Sequence, residues 1–213
     1  MTPGRYIAIE GPIGVGKTTL AARLGATLDA RVLSEAPDDN PFLGDFYDNP
    51  AGHALSAQLF FLLQRARQID AIRQTDLFDR GCVADFMFDK DPLFAQLTLN
   101  GDELALYNDI YARLAWQAPR PDYVIVLDAS LDVLMTRIAT RARAAERSLT
   151  RDYLQRVVRA YRLFFAGYSA TRVIRVDAER LDLVNSDTDY QSLLAALECL
   201  DKVQTLPATP IQI

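Results

Sequence analysis

The chain has 213 residues, of which 50% are hydrophobic and 24% are charged, and its formal net charge is −5. This composition is typical of a soluble globular protein, and the length predicts a single domain, residues 1–213, with a core sheet. The acidic balance argues against a nucleic-acid partner, because a polyanion is bound by a basic surface. We also expect no membrane association, since no apolar run could span a bilayer and the N-terminus lacks a signal-peptide pattern.

Cysteine usage indicates the compartment. Cys82 and Cys199 are the only two cysteines, and they do not have the spacing of metal ligands. Two free thiols are favoured over a disulfide, which predicts a reducing, cytoplasmic setting.

The first motif lies between a short apolar run and a helical pattern. Tyr6 to Ile9 is typical of a buried parallel strand, and the next segment, GPIGVGKT, fits G-x-x-x-x-G-K-[S/T] at every fixed position. In such a loop, backbone N–H groups surround phosphate oxygens at a helix N-terminus. The lysine contacts the β- and γ-phosphates, and the hydroxyl after it binds Mg²⁺. We therefore predict a nucleoside-triphosphate site, rather than a ligand-free turn, at Gly11, Gly14, Val15, Gly16, Lys17, Thr18 and Thr19.

Strand and helix patterns alternate along the rest of the chain. Strands are predicted at 31–34, 76–79, 123–127 and 172–176, and helices at about 18–28, 55–73, 102–116, 131–144, 148–168 and 189–203. Asp91-Pro92 is predicted to be a turn. No two strands have hairpin spacing, so we predict an α/β fold with a five-stranded parallel sheet and helices on both faces.

Charged residues follow the first three predicted strands. The phosphate-binding loop follows the first strand, Glu35 the second, and Asp79 and Arg80 the third. Because ligands gather at the carboxyl ends of parallel strands, these groups should converge. A carboxylate there can accept a proton from an acceptor hydroxyl, and an arginine can bind phosphate charge. Each residue alone is also typical of a solvated loop, and only the shared position favours a site.

Five segments occur in an ordered set that is specific to one family: IEGPIGVGKTT at 9–19, SEAPDDNPFLGDFY at 34–47, QLFFLLQRARQI at 58–69, DRGCVADFMF at 79–88 and RIATRARAAE at 137–146. The set resembles the deoxynucleoside kinases, most closely their bacterial deoxyadenosine/deoxyguanosine kinase branch. The resemblance implies a P-loop kinase fold with an arginine-rich lid. It also implies transfer of the γ-phosphate of ATP, with Mg²⁺, to the 5′-hydroxyl of a deoxynucleoside in nucleotide salvage, by a homodimer.

The resemblance assigns roles position by position. Lys17 binds the transferred phosphate, Glu35 is similar to the general base, Asp79 to the acid near Mg²⁺, and Arg80 to the arginine near the transferring phosphate. The substrate contacts that it implies are Tyr47 and Glu146 at the sugar 3′-hydroxyl, Gln58 at the base edge, Arg65 paired with Asp85 at the far end of the base pocket, and Phe88 against the base.

Three arginines, Arg137, Arg141 and Arg143, resemble those of the lid that closes over the triphosphate. Their spacing cannot place all three on one face of a helix, which favours a helix that runs into a lid loop. A solvated helix face is the alternative. Two departures from the family pattern stand out: Gly81 replaces a Ser or Thr, and Ala142 replaces a lid glycine, which predicts a stiffer lid.

An Arg65–Asp85 pair would favour a base that presents an amino group, so we expect deoxyadenosine or deoxyguanosine to be preferred over thymidine. A merely structural ion pair is the alternative. Among other activities, a nucleoside monophosphate kinase such as thymidylate kinase shares the implied fold, but Glu35 would repel an acceptor phosphate. A GTPase-like switch is disfavoured because the chain has no Asn-Lys pair. Asp128 follows a buried strand and could bind Mg²⁺, but we favour a structural role, in which this strand-end carboxylate caps the helix that starts at Ser130.

Overall fold

The computed structural model describes residues 4–74, 81–115, 118–202 and 211–212. Its sheet has the strand order β2-β3-β1-β4-β5-β6, and every pair of neighbours is parallel. The strands are β1 (Tyr6–Glu10), β2 (Arg31–Leu33), β3 (Cys82–Ala84), β4 (Tyr123–Asp128), β5 (Arg172–Asp177) and β6 (Ile211–Gln212). The predicted parallel α/β fold is confirmed, and the two-residue β6 adds an edge strand to the five that were expected.

The helices that surround the sheet are α1 (Lys17–Leu28), α2 (Leu43–Asp48), α3 (Pro50–Gln74), α4 (Asp91–Thr98), α5 (Gly101–Ala115), α6 (Leu131–Arg141), α7 (Arg151–Gly167) and α8 (Asp187–Lys202). Short 3₁₀ turns occupy Pro37–Asp39, Phe88–Lys90 and Ala144–Glu146. None of the helices described is long and apolar enough to cross a bilayer.

The centre of the core is strand β1, which lies between β3 and β4. Its residues Ile7, Ala8 and Ile9 are fully buried, as expected for a parallel strand that is covered on both faces. The chain leaves this strand at Glu10 and continues directly into the glycine-rich loop. The fold therefore places that loop at the middle of the sheet's carboxyl edge, beside the ends of β3 and β4.

The strand that pairs with β1 and β2 is Cys82–Ala84, which the sequence did not predict. The predicted strand at 76–79 lies outside the described residues and stays a prediction. One predicted element needs correction. The predicted turn at Asp91-Pro92 is the first turn of α4. A proline is compatible with that position because the first N–H groups of a helix have no intrahelical partner.

The two cysteines should differ in reactivity. Cys82 is buried in β3, and burial raises the pKa of its thiol to about 12, whereas Cys199 is exposed on α8. Since the thiolate is the reactive form, we expect one fast-reacting thiol in the native chain and two after denaturation. Titration with a chromogenic disulfide reagent at pH 8 measures both numbers.

The control is Cys199→Ser, which should remove the fast phase. A fast phase that persists in Cys199→Ser would show that β3 is open to solvent.

Candidate active site

The glycine-rich loop has the backbone of an anion cradle. Gly11 and Gly16 have φ angles of 146° and 109°, which favour glycine. A side chain at Gly11 would place its Cβ 2.4 Å from the carbonyl oxygen of Leu127, so the loop lies tightly against β4. Lys17 spans the loop, and its Nζ donates to the carbonyl oxygens of Gly11 at 2.8 Å and Pro12 at 3.2 Å.

Two cavities adjoin this loop. The P-loop cavity, about 200 Å³, is lined in part by predicted residues of the loop and lid, among them Gly14, Gly16, Lys17, Thr18, Arg141 and Arg143. The outer cavity, about 450 Å³, lies between Val15, Gly16 and the segment after β5, residues 178–185. Thr19 also lines the P-loop cavity. A long ligand could occupy both cavities, since Gly16 borders each.

The three predicted lid arginines separate into two groups. Arg141 and Arg143 lie in the P-loop cavity, whereas Arg137 lines the outer cavity and donates to the carbonyl oxygens of Val15 at 3.3 Å and Ala178 at 2.8 Å. Arg137 thus joins the loop to the segment after β5. The three arginines predicted to bind the triphosphate therefore line two cavities that share Gly16.

The lid begins where α6 ends. Ala142 has a φ of 52°, a left-handed conformation that costs a non-glycine residue about 1 kcal/mol. Beyond it, Glu146 accepts hydrogen bonds from Arg141 at 2.6 Å, and Arg143 lies 3.3 Å from Asp38. The glycine of the family pattern would adopt this backbone without strain, so Ala142 does make the turn less free.

Asp85 stands at the carboxyl end of β3. Its Oδ2 accepts hydrogen bonds from the hydroxyls of Thr18 at 2.5 Å and Ser34 at 3.1 Å, and its Oδ1 accepts from the backbone N–H of Glu35 at 2.7 Å. This carboxylate joins the P-loop to the end of β2. It does not pair with Arg65, so the predicted Arg65–Asp85 pair is wrong.

The partners of Arg65 are Glu35 and Asp91. Both Arg65 and Asp91 are buried, and Asp91 is the first residue of α4. Arg65 thus pairs with a carboxylate of α4, a helix that the sequence did not predict. This carboxylate, Asp91, lies six residues after the predicted partner Asp85.

The inner cavity contains the predicted substrate residues Tyr47, Gln58, Arg65 and Glu146, together with the rings of Phe61, Phe94 and Tyr153. Phe88 does not belong to it: this ring is buried and stacks on Tyr111 with centroids 5.4 Å apart. The inner cavity measures about 60 Å³, whereas sites for small ligands measure roughly 300 Å³ or more. A nucleoside can therefore enter only if the lining side chains move.

Glu35 borders both the P-loop cavity and the inner cavity. Burial alone would raise the pKa of this carboxyl, but the charges of Lys90, Arg65 and Lys17 outweigh burial and hold the pKa at about 2. Glu35 is therefore ionised throughout the physiological range. A fixed carboxylate between a phosphate cradle and an aromatic cavity is well placed to orient a hydroxyl and accept its proton.

Asp79 and Arg80 lie outside the described residues, so their predicted roles stay predictions. The next residue, Gly81, has a φ of 76°, and a Cβ there would lie 2.9 Å from the carbonyl oxygen of Arg5. The Ser or Thr of the family pattern would be strained at this position. At the strand end proper, Asp85 is followed by Phe86, which is fully buried.

Asp128 is a strand-end carboxylate, as we favoured, but its predicted capping of the next helix is wrong, because the side chain of Ser130 caps α6. Its carboxylate accepts hydrogen bonds from Arg162 at 3.0 and 3.2 Å and from the backbone N–H of Ala129 at 2.9 Å. None of the cavity linings described includes it.

Three buried charged residues were given no functional role from the sequence: Glu10, Lys90 and Asp91. The motif patterns gave no indication of Lys90, because lysines are almost always exposed. Asp91 could have been found, since a proline after an acidic residue is also a helix-start signal. Glu10 directly precedes the loop, but only the structure shows the contacts of its carboxylate.

Comparison with known proteins agrees with this geometry. The family model for deoxynucleoside kinase matches residues 7–200. The chain belongs to the deoxynucleoside kinase family. It is 32% identical over 200 residues to a deoxyguanosine kinase of Bacillus subtilis, covering 92% of this chain and 97% of the relative.

Two further matches bear on this family. A thymidylate kinase of Xanthomonas oryzae is 32% identical over 182 residues, covering 82% of this chain and 76% of the relative. The fold is similar to that of a deoxyadenosine kinase from M. mycoides, which was solved with the products dCMP and dCDP. That match has a TM-score of 0.80, 23% identity, and coverage of 91% of this chain and 99% of the other.

The buried pair in this kinase should contribute to stability far more than an exposed one. Asp91→Asn leaves Arg65 with half of its charge partners in a buried site, and we expect a loss of about 3 kcal/mol in unfolding free energy. Asp128→Asn, which removes a half-exposed partner of Arg162, should cost less than about 1 kcal/mol. Urea denaturation of the two variants and the wild type measures the difference.

Equal losses in the two variants would contradict the buried pair. A large loss in Asp128→Asn alone would show that the strand-end contact is the structural one.

Proposed function

We propose that this chain transfers the γ-phosphate of ATP to the 5′-hydroxyl of a purine deoxynucleoside. The observation that carries the proposal is the position of Glu35, which borders the P-loop cavity on one side and the inner cavity on the other. A carboxylate that lies between a donor cavity and an acceptor cavity in this way is placed where an acceptor hydroxyl and a terminal phosphate would meet. The relatives named deoxyguanosine and deoxyadenosine kinase support the same reaction.

On the donor side, the triphosphate would occupy the P-loop cavity and its nucleoside the outer cavity. Lys17 and the backbone N–H groups of the loop would bind the β- and γ-phosphates. Arg141 and Arg143 would stabilise charge on the transferring phosphate once Glu146 and Asp38 release them. Glu35 would orient the acceptor hydroxyl and accept its proton as the bond to phosphorus forms.

The residues around Thr18 fit Mg²⁺. The Thr18 hydroxyl and the Asp85 carboxylate lie 2.5 Å apart at the mouth of the loop, and hard oxygen ligands suit this ion, which keeps several waters. We propose that Thr18 and Asp85 hold the metal, Asp85 through water. When bound, Mg²⁺ would neutralise charge on the β- and γ-phosphate oxygens. This proposal gives Asp85 the part that the sequence assigned to Asp79.

On the acceptor side, the base would lie between Gln58 and Arg65. The Gln58 amide is buried and can both donate and accept, and Nε of Arg65 is buried without a hydrogen-bond partner in the described part of the chain. The buried Arg65–Asp91 pair favours a base with polar groups at that depth. The thymine methyl group would desolvate the pair without offering a hydrogen bond, at a cost of about 1–3 kcal/mol.

A homodimer in the cytoplasm completes the proposal. Helices α3 and α5 contact each other and expose Leu63 and Leu106, which would suit a self-complementary interface.

Both cysteines are free, as expected in a reducing compartment. One sheet runs through the described residues, which supports a single domain.

A monophosphate kinase is the second candidate, because of the similarity to the Xanthomonas oryzae thymidylate kinase. The geometry favours it less. The lining of the P-loop cavity includes the carboxylates of Glu35 and Asp85, and both would repel an acceptor phosphate.

Substrate preference tests the proposal directly. We expect kcat/KM for deoxyadenosine and deoxyguanosine to exceed that for thymidine by about tenfold or more, with deoxycytidine as the next substrate. Glu35→Gln should lower kcat by roughly 10²–10⁴ while ATP affinity is retained. A coupled phosphoryl-transfer assay with the four deoxynucleosides and with thymidine monophosphate measures both.

Thymidine monophosphate as the best acceptor would favour the second candidate. A preference for thymidine itself would contradict the assignment of the base pocket.

The acidic metal partner can be tested by two matched variants. Because Asp85 contacts Thr18 and follows β3, Asp85→Asn should raise the Mg²⁺ concentration needed for half-maximal turnover and lower kcat by about 10²-fold or more. Asp79→Asn should have a much smaller effect. The measurement is turnover against Mg²⁺ concentration at saturating ATP and deoxynucleoside.

The reverse order, with Asp79→Asn the more damaging, would return the role to the sequence-based assignment.

A further inference from the structure

The 3₁₀ turn after β3 buries a lysine to which the proposed reaction gives no part. Lys90 is 1% exposed, and its Nζ lies 3.5 Å from Oε1 of Glu10 and 3.7 Å from Oε1 of Glu35. The rings of Phe94 and Tyr161 lie 5.3 and 6.0 Å from the same nitrogen. Well-packed apolar residues often replace a buried ion pair with no loss of stability. Stability alone therefore does not explain why a cation occupies this place.

Lys90 stays charged in this environment. Burial alone would lower the pKa of its ammonium group, but the carboxylates of Glu10 and Glu35 outweigh burial and raise the pKa. These two carboxylates belong to different parts of the fold, since Glu10 ends β1 and Glu35 follows β2. Lys90 is thus a single cation that bridges the ends of two strands.

One partner of Lys90 anchors the phosphate-binding loop. The carboxylate of Glu10 accepts hydrogen bonds from the backbone N–H of Gly11 at 3.3 Å, the backbone N–H of Met87 at 2.7 Å and the hydroxyl of Tyr161 at 3.0 Å. Gly11 is the first residue of the loop. A shift of Glu10 would therefore move the point at which the loop leaves the sheet.

The other partner of Lys90 is Glu35, the proposed general base. Both ion pairs of Glu35 end on the same oxygen, Oε1, which contacts Arg65 from α3 and Lys90 from the 3₁₀ turn. Two cations from different elements fix the position of this oxygen. Glu35 also borders both the P-loop cavity and the inner cavity, so these two cations hold its carboxylate where the acceptor hydroxyl would arrive.

We propose that Lys90 is a positioning residue for phosphoryl transfer, whose ammonium group holds the carboxylate of Glu35 in the orientation that presents it to the acceptor hydroxyl and ties it to the start of the loop through Glu10. This rests on the proposed function, because it takes Glu35 as the base. The effect is one of geometry, and a misplacement of about 1 Å at a reacting group can cost roughly 10²-fold in rate.

The test uses two substitutions of Lys90 in the full-length enzyme. Lys90→Met keeps the approximate volume and removes the charge, and it should lower kcat by about 10²-fold with little change in the KM for ATP or deoxynucleoside. Lys90→Arg keeps the charge and should recover part of the lost kcat. The control is Arg162→Met, which removes a cation from a strand-end ion pair outside the cavities and should leave kcat unchanged.

A double-mutant cycle with Glu35→Gln separates positioning from a general structural role. If Lys90 acts through Glu35, the charge-balanced variant Lys90→Met/Glu35→Gln should have a kcat no lower than that of Glu35→Gln alone. Multiplicative losses would overturn the proposal, as would wild-type kcat in Lys90→Met. If Lys90→Met does not fold, the comparison of the double variant with Glu35→Gln decides, and failure of both to fold would make Lys90 structural.

The same assay distinguishes the failure of this inference from that of the proposed function. A wild-type enzyme that phosphorylates no deoxynucleoside would overturn the proposed reaction. An active wild type whose kcat is insensitive to the charge of Lys90 would overturn only the role of Lys90.

Discussion

A cluster of paired acidic and basic side chains at the carboxyl edge of the sheet, all buried except the partly exposed Glu35, determines the geometry of the whole site. It consists of Glu10, Glu35, Arg65, Lys90 and Asp91, which come from the end of β1, the segment after β2, helix α3, the 3₁₀ turn and helix α4. A charge without a partner is very unfavourable in such an interior, so none of these elements can move far without its neighbours. The cluster therefore fixes Glu35, the start of the phosphate-binding loop and the Arg65 side of the inner cavity relative to one another.

The parts of the site that depend on local backbone were predictable from the sequence. The phosphate loop follows from the fixed spacing of Gly11, Gly16 and Lys17, because that spacing itself creates the turn and the start of α1. Strand β4 was equally clear because its residues form a continuous apolar run, and α7 was clear because its apolar residues recur at helical spacing. The position of Glu35 could be predicted because the carboxyl ends of parallel strands lie along one edge of the sheet.

The parts that depend on distant contacts were not predictable. β3 has only three residues, and the segment 76–79 that was predicted as a strand is equally short, so the pattern could not decide between them. The prediction placed Asp79 at the edge of the sheet, and among the described residues the carboxylate that follows β3 is Asp85. The partner of Arg65 could not be identified either, because Asp85 and Asp91 lie close in sequence and only their positions in three dimensions tell them apart.

The contact between Arg141 and Glu146 has a consequence for how the two substrates affect each other's binding. Glu146 lines both the P-loop cavity and the inner cavity, and its carboxylate is held by Arg141. Any sugar hydroxyl that takes an oxygen of Glu146 competes with Arg141, and any phosphate that draws Arg141 away frees Glu146. Thermodynamic linkage makes such an exchange reciprocal, so each substrate raises the affinity for the other by the same factor. Donor and acceptor would then bind with positive synergy, through one carboxylate that belongs to both sites.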